Sequence, residues 1–287
     1  MSFPPNLFLV GAQKAGTTFL ASLLGQHPEI CLSEPKEPGY FTHNSGKDLA
    51  WYRSRFRRPE KPYLLDATPS YSASPLPRLD DSAQKSPLWG VPTRIKDLSP
   101  DARIVYVVRD PVMRTWSSYW HAVRAGHESR SFHDAISEGS IYMRASRYFD
   151  QIQLFRECFA RERISILKFE SLIKDPNVTL TELLSKLDLP PLANPDFDRG
   201  QNRSFRYRGA LAVVNRYLSG IGGMNRVSKA ISPVLPRSLK DWAYRRLADR
   251  IPDMPEEDRR LLTQYFADQN RRLSQEYEID LIEWSNP

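Results

Sequence analysis

The stretch Leu7–Leu24, LFLVGAQKAGTTFLASLL, joins an apolar run to an amphipathic one through a loop framed by Gly11 and Gly16. Leu7–Val10 is short, apolar and bounded by glycine, the pattern of a buried strand. From Thr17 to Gln26 the apolar residues Phe19, Leu20, Leu23 and Leu24 recur at helical spacing. The chain here reads as strand, tight loop, helix. A buried strand that runs straight into a helix pairs with parallel neighbours reached by crossover connections, which confines the chain to α/β architectures.

The same order recurs downstream. RIVYVV, Arg103–Val108, is mostly β-branched, and Asp110-Pro111 after it is a helix start with Asp110 as N-cap and Pro111 at the first helical position. Ser146–Arg161 has helical spacing, Ile164–Phe169 reads as a strand and Thr179–Leu187 as a helix. The expected fold is α/β, a P-loop-like parallel sheet flanked by helices on both faces, with residues 1–287 forming a single domain. Residues 33–100, rich in Pro, Ser and aromatics with short helical patterns such as Lys47–Phe56, read as a cleft-forming insertion. Glu256–Trp284, carrying Leu261, Leu262, Tyr265, Phe266 and Leu273, reads as an amphipathic helix on the core. Ligands of such sheets sit beyond the carboxyl ends of strands, where both loops of interest fall.

Bulk properties narrow the function. In 287 residues, 40% hydrophobic, no run approaches the ~20 apolar residues of a membrane span, and Met1–Asn6 lacks a secretory start, so the expected address is cytoplasmic. Cys31 and Cys158 form no C-x-x-C pair and read as ordinary thiols. His121, His127 and His133 recur every six residues, off any single helix face, and no H-E-x-x-H occurs, so no metal site is expected. The net charge of +7 is concentrated in residues 199–250, where twelve Lys/Arg face only Asp241 and Asp249. This segment reads as a basic, loop-rich lid. It lacks the interleaved aromatics of a nucleic-acid platform, while peripheral membrane contact through Val234, Leu235, Trp242 and Tyr244 stays open.

A strand feeding a glycine loop into a helix start offers free backbone N–H groups and the positive end of a helix dipole to a phosphate. Nucleotide-hydrolysing loops place a lysine directly after the second glycine, where this chain has Thr17 and Thr18. Its only loop lysine, Lys14, precedes Gly16 and is placed to reach an atom beyond a single phosphate. GAQKAGTTFL resembles the 5′-phosphosulfate loop of sulfotransferases that use 3′-phosphoadenosine 5′-phosphosulfate. The resemblance implies that Gly11, Ala12, Gln13, Lys14, Ala15, Gly16, Thr17 and Thr18 enclose the 5′-phosphate. Lys14 would donate to the oxygen that bridges phosphate and sulfate, and no metal would be needed.

RDPVMRTWSSYWH is similar to the family's 3′-phosphate motif, which implies that Arg109 and Ser117 hold that phosphate, provided the arginine folds back along the helix. Ser146-Arg147-Tyr148, ILKFESLIKDP and the final DLIEW also fall in family order, and by resemblance Tyr148 borders the adenine. Arg206–Gly209, RYRG, resembles the late loop that closes on the 3′-phosphate, with Arg206, Arg208 and Gly209 as its members.

Transfer of a sulfuryl group to a hydroxyl needs a base. SEPKEPGYF resembles the K-E-x-x-[FY]-F motif of the heparan sulfate and related glycan sulfotransferases, which implies Glu37 as base and Lys36 beside it. His43 and His121 are competing bases. LLDATPSY resembles that family's E-K-[TS]-P-x-Y segment, with Asp66 for the glutamate and Ala67 for the lysine that contacts anionic sugar. The acceptor expected is a carbohydrate, a glycolipid or a large secondary metabolite. The alternatives are a P-loop kinase or hydrolase, which needs an acid where Arg109 ends its strand, and a module binding anionic ligands or nucleic acid through residues 199–250.

Overall fold

Leu7–Gly11 is buried along its whole length and lies at the centre of a five-stranded parallel sheet. The structure, a computed structural model, describes residues 3–76, 83–137, 139–198, 206–207, 248–249 and 251–285. In chain order its elements are β1 (Leu7–Gly11), α1 (Thr17–Leu24), β2 (Ile30–Leu32), α2 (Leu49–Arg53), β3 (Tyr63–Asp66), α3 (Val91–Leu98), β4 (Arg103–Val108), α4 (Pro111–Ala125), α5 (Phe132–Ala135) and α6 (Ile141–Arg144). They continue with α7 (Tyr148–Arg156), β5 (Ile164–Lys168), α8 (Phe169–Lys174), α9 (Pro176–Lys186), the strand pair β6 (Arg206–Tyr207) and β7 (Ala248–Asp249), and α10 (Glu256–Tyr277).

The strand order is β2-β3-β1-β4-β5, and every pairing is parallel. β1 and β4 are the near-continuous apolar runs that burial on both faces requires. α1 packs on α9, while α7 packs on α3 and α10. One buried cluster joins the sheet to these helices, and a second, built on Trp116, Tyr119, Phe132, Tyr142, Leu262 and Phe266, ties α4 to α10. α4 begins as the sequence requires: the Asp110 carboxylate accepts from the Val112 and Met113 N–H groups, and Pro111 occupies the first turn.

Three elements differ from expectation. Residues 33–100, read as an insertion, supply β3, which pairs directly with β1, and α3, whose Val91 and Ile95 are fully buried. β3 is four residues long and β2 three, too short for a periodic signal, and only their place beside β1 buries them. The expected helix over Ser146–Arg161 is shorter, Tyr148–Arg156: at its start Ser146 is held by its hydroxyl's bonds to Arg114 and Thr115. The C-terminal helix stops at Tyr277, where Glu278 turns left-handed (φ 56°), and a short turn over Ile282–Ser285 returns Trp284 to the core beside Tyr148.

At the end of β1 a side chain has no room. A Cβ on Gly11 would lie 1.8 Å from Ser72 Oγ, in the turn that follows β3. Gly11→Ala is therefore expected to destabilise the fold by about 1–3 kcal/mol, the usual cost of overpacking, read as a lower urea midpoint at unchanged slope.

Candidate active site

The loop between β1 and α1 lies at the carboxyl end of the sheet. Gly16 takes a left-handed φ of 80°, and a Cβ there would meet the Phe169 ring at 2.9 Å, so both conformation and space demand glycine. Lys14 is also left-handed, at φ 72°. Gly16 is the N-cap of α1 with no side-chain cap, and the first turn holds no acid. The N–H groups and positive dipole of this helix start are thus left to an external anion.

Two guanidinium groups set the course of the loop. Arg114 Nε donates to the Gln13 carbonyl at 3.0 Å, and Arg109 Nη1 donates to the Lys14 carbonyl at 2.9 Å. In a planar trans peptide the N–H points opposite the carbonyl, so holding back the Gln13 oxygen fixes the direction of the Lys14 N–H. Arg109 also stacks on the Phe169 ring, 4.8 Å from its centroid. Arg114 is 1% exposed and spends its remaining hydrogen bonds on the Tyr142 carbonyl and the hydroxyls of Ser146 and Ser118. All four acceptors are neutral.

The site therefore carries positive charge in excess. Burial, followed by Arg124, Arg109 and Arg114, pushes the Lys14 ammonium down to about 8. Burial also lowers Arg109 and Arg114, which stay charged because guanidinium starts so high. His121, on the outer turns of α4, feels the same field: burial, then Lys14 and Arg124, push it down to about 4. Arg124 Nη2 lies 2.9 Å from His121 Nδ1, and because arginine only donates, Nδ1 accepts and the ring proton sits on Nε2. Neither nitrogen keeps a free lone pair, so this arrangement makes His121 a hydrogen-bond donor and disfavours it as a base.

A second group lies beyond β3. Lys36 Nζ bridges the Glu37 carboxylate, at 2.8 Å, and the Ala67 carbonyl, at 3.3 Å. Glu37 is half-exposed, tethered yet open to a partner. His43 is exposed, with its ring packed across Gly39 and Nδ1 3.3 Å from Thr42 Oγ1. The loop of Lys36 and Glu37 leaves β2, two strands from β1, and the Lys36 bond to the Ala67 carbonyl brings it to the end of β3, the strand that pairs with β1.

Of the residues singled out in the sequence, Gly11, Ala12, Gln13, Lys14, Ala15, Gly16, Thr17, Thr18 and Arg109 come together at the loop. Arg109 and Ser117 are engaged separately: Ser117 is buried on α4, while the Arg109 guanidinium engages the Lys14 carbonyl and Phe169. Tyr148 does not offer a surface for a base. It is 1% exposed, set edge-on to Tyr106 and against Trp284, because the apolar face of α7 turns it into the core. Arg206 falls in β6, opposite Asp249, and Arg208 and Gly209 lie outside the described residues. Sequence reading overlooked Arg114 and Arg124. Arg114 stands four residues before Ser118 among Val112, Met113 and Trp116, so its apolar surroundings are the one trace of its burial.

Among the described residues no group of His, Cys, Asp and Glu is placed to hold a metal ion, and no helix is long and apolar enough to cross a membrane.

A charge penalty on Lys14 makes a stability prediction. Its folded pKa near 8 lies below the ordinary 10.5, so between these values the unfolded chain binds more protons and stability rises with pH. Below pH 8 the penalty is in full force. In low-salt buffer, Lys14→Met is expected to be more stable than the unmodified protein at pH 7 by on the order of 2 kcal/mol, the gain vanishing as pH climbs toward 10.5. Denaturant titrations at several pH values read this directly.

Comparison with known proteins agrees with the geometry. The model of the sulfotransferase family matches residues 5–194. The chain is 31% identical over 129 residues to heparan sulfate glucosamine 3-O-sulfotransferase 3B1 of Mus musculus, covering 45% of this chain and 29% of that protein. It is 26% identical over 208 residues to the bifunctional heparan sulfate N-deacetylase/N-sulfotransferase of Drosophila melanogaster, covering 66% of this chain and 20% of that one. The chain thus spans less than a third of the length of these relatives. Its fold matches the crystal structure of a sulfotransferase from Alicyclobacillus acidocaldarius with a TM-score of 0.67 and 22% identity, over 98% of this chain and 99% of that one.

Proposed function

The chain belongs to the sulfotransferase family, and from that premise we propose that it transfers a sulfuryl group from 3′-phosphoadenosine 5′-phosphosulfate to a hydroxyl or amine of a carbohydrate-class acceptor. The observation that carries this reading is the cationic loop itself: Lys14, Arg109 and Arg114 gathered at an uncapped helix start. These features fit a phosphosulfate, which brings the missing negative charge.

In this reading the free N–H groups at the start of α1, with the hydroxyls of Thr17 and Thr18, hold the 5′-phosphate. Arg109 and the helix carrying Ser117 take the 3′-phosphate, which requires Arg109 to exchange a loop carbonyl for the dianion. The acceptor oxygen attacks sulfur as the bond from sulfur to the bridging oxygen breaks. The acceptor proton passes to Glu37, and the charge left on the bridging oxygen falls to the Lys14 ammonium. Lys36 keeps the Glu37 carboxylate in place, His121 Nε2–H is a donor for the sulfuryl oxygens, and His43 is the alternative base. The heparan sulfate relatives support a glycan acceptor. Ala67, where the glycan-type pattern has a lysine, argues against reading the acceptor through that particular contact.

The reading is tested with ³⁵S-labelled donor, desulfated heparan sulfate and 2-naphthol as acceptors, and release of adenosine 3′,5′-bisphosphate as the count of turnovers. Lys14→Ala is expected to lower turnover about 10²–10³-fold while changing donor affinity much less. Glu37→Gln is expected to lower turnover about 10²–10⁴-fold with donor binding retained. Unchanged turnover in Lys14→Ala would remove the leaving-group role, and full activity in Glu37→Gln would move the base to His43.

A further inference from the structure

Asp66, the last residue of β3, is fully buried and receives three hydroxyl groups. Tyr52 Oη and Tyr71 Oη donate to Oδ2 at 2.6 and 2.9 Å, and Thr68 Oγ1 donates to Oδ1 at 2.6 Å. Each of these three residues then reaches the turn that follows Lys36 and Glu37. The Gly39 N–H donates to Thr68 Oγ1, and the Phe41 N–H donates to Tyr71 Oη, both at 3.3 Å. The Tyr52 ring lies flat on the Tyr40 ring, centroids 4.1 Å apart and planes within 6°.

The polarity of this network follows from the carboxylate. An ionised carboxylate only accepts, so the Thr68 and Tyr71 hydroxyls spend their protons on Asp66 and must turn lone pairs to Gly39 and Phe41. Reversing either hydroxyl would face a donor to a donor. Burial pushes the Asp66 carboxyl up to about 6, the three hydroxyls and the nearby Lys36 ammonium opposing that rise. At neutral pH the group is therefore ionised. Gly39 adds a fourth constraint, since it turns left-handed (φ 60°) and a Cβ there would lie 2.1 Å from the His43 ring.

We propose that Asp66 is a positioning residue for sulfuryl transfer: through Thr68, Tyr71 and Tyr52 it fixes the turn at Gly39–Phe41 and so places the Glu37 carboxylate at the edge shared with the Lys14 loop. The inference rests on the reading of Glu37 as the base. Lys36 closes the arrangement from the other side, since its ammonium joins Glu37 to the carbonyl of Ala67, the residue after Asp66. Both ends of the Lys36–Phe41 segment are thereby fastened to the end of β3. The sheet, not the loop, sets where the base stands.

Tyr71→Phe and Asp66→Asn test this. Tyr71→Phe removes one relay hydroxyl and keeps the ring. Asp66→Asn keeps the shape and substitutes a donor for one accepting oxygen, so the hydroxyl or hydroxyls facing that group, Thr68 or the two tyrosines, must reverse. With release of adenosine 3′,5′-bisphosphate as the readout, both variants are expected to lose about 10-fold or more in kcat. The dissociation constant for adenosine 3′,5′-bisphosphate, measured by calorimetry, is expected to stay within about twofold. Amides of residues 39–41 are expected to exchange faster with deuterium. On the Glu37→Gln background, whose residual turnover is followed over hours, Tyr71→Phe is expected to cost nothing further, because a positioning residue has no effect once the group it positions is gone.

A kcat for Tyr71→Phe equal to that of the unmodified protein would overturn the proposal while leaving the Glu37 reading intact. So would a loss that multiplies with Glu37→Gln, or one accompanied by weaker nucleotide binding, since either would mark a general structural role. Full activity in Glu37→Gln alone would overturn the base assignment and this inference with it.

Discussion

A guanidinium buried against neutral oxygens is an expensive object, because taking an ion out of water costs several kcal/mol unless an opposite charge repays it. Arg114 is such an ion, and Arg109 and Lys14 crowd the same few residues of backbone. The arrangement persists because the arginines do structural work on the loop: each takes a carbonyl that the loop would otherwise leave bare. Glu170 and Asp110 lie beside Arg109, but Arg114 hydrogen-bonds only neutral oxygens and the Lys14 ammonium is held down by the arginines around it. A multiply charged anion at the start of α1 would supply negative charge, and the depressed Lys14 ammonium would then regain its ordinary basicity.

The fold makes this concentration of charge tolerable by placing it at the carboxyl edge of a sheet whose interior is mostly apolar. β1 carries the Lys14 loop, β4 delivers Arg109 and the α4 cap, β5 leads into Phe169 beneath Gly16, and β3 ends in Asp66. Four adjacent parallel strands thus each contribute one component to the same edge. The Lys14 loop and Glu37 have separate partners there: the two arginines engage the loop, while Glu37 is paired with Lys36 beside the end of β3. In the proposed reading, charge for the leaving group and a base for the acceptor are in this way kept from neutralising each other.

Much of this was legible in the sequence, and the rest was hidden for physical reasons. GAQKAGTT is local, since its chemistry depends on spacing within one loop, and the Asp110-Pro111 helix start is equally local. β3 was not legible because four residues carry no period, and its burial is conferred by β1. Arg114 reads on paper as a helix-surface cation, and only the packing of α4 against α6 and the loop encloses it. Tyr148 shows the converse: motif order placed it at the nucleotide, whereas Trp284, brought back by the turn after α10, closes it into the core. Spacing fixes what a loop can do; long-range packing decides which side chains reach it.

The central claim is that the cationic loop is built for a nucleotide with phosphates at both the 5′ and 3′ positions. Calorimetric titration of the metal-free protein with adenosine 3′,5′-bisphosphate, beside AMP and magnesium-ATP and repeated with Arg109→Ala, addresses it most directly. The account predicts selective binding of the bisphosphate that weakens by at least tenfold in the variant. Equal or tighter binding of magnesium-ATP, or bisphosphate binding indifferent to Arg109, would contradict it.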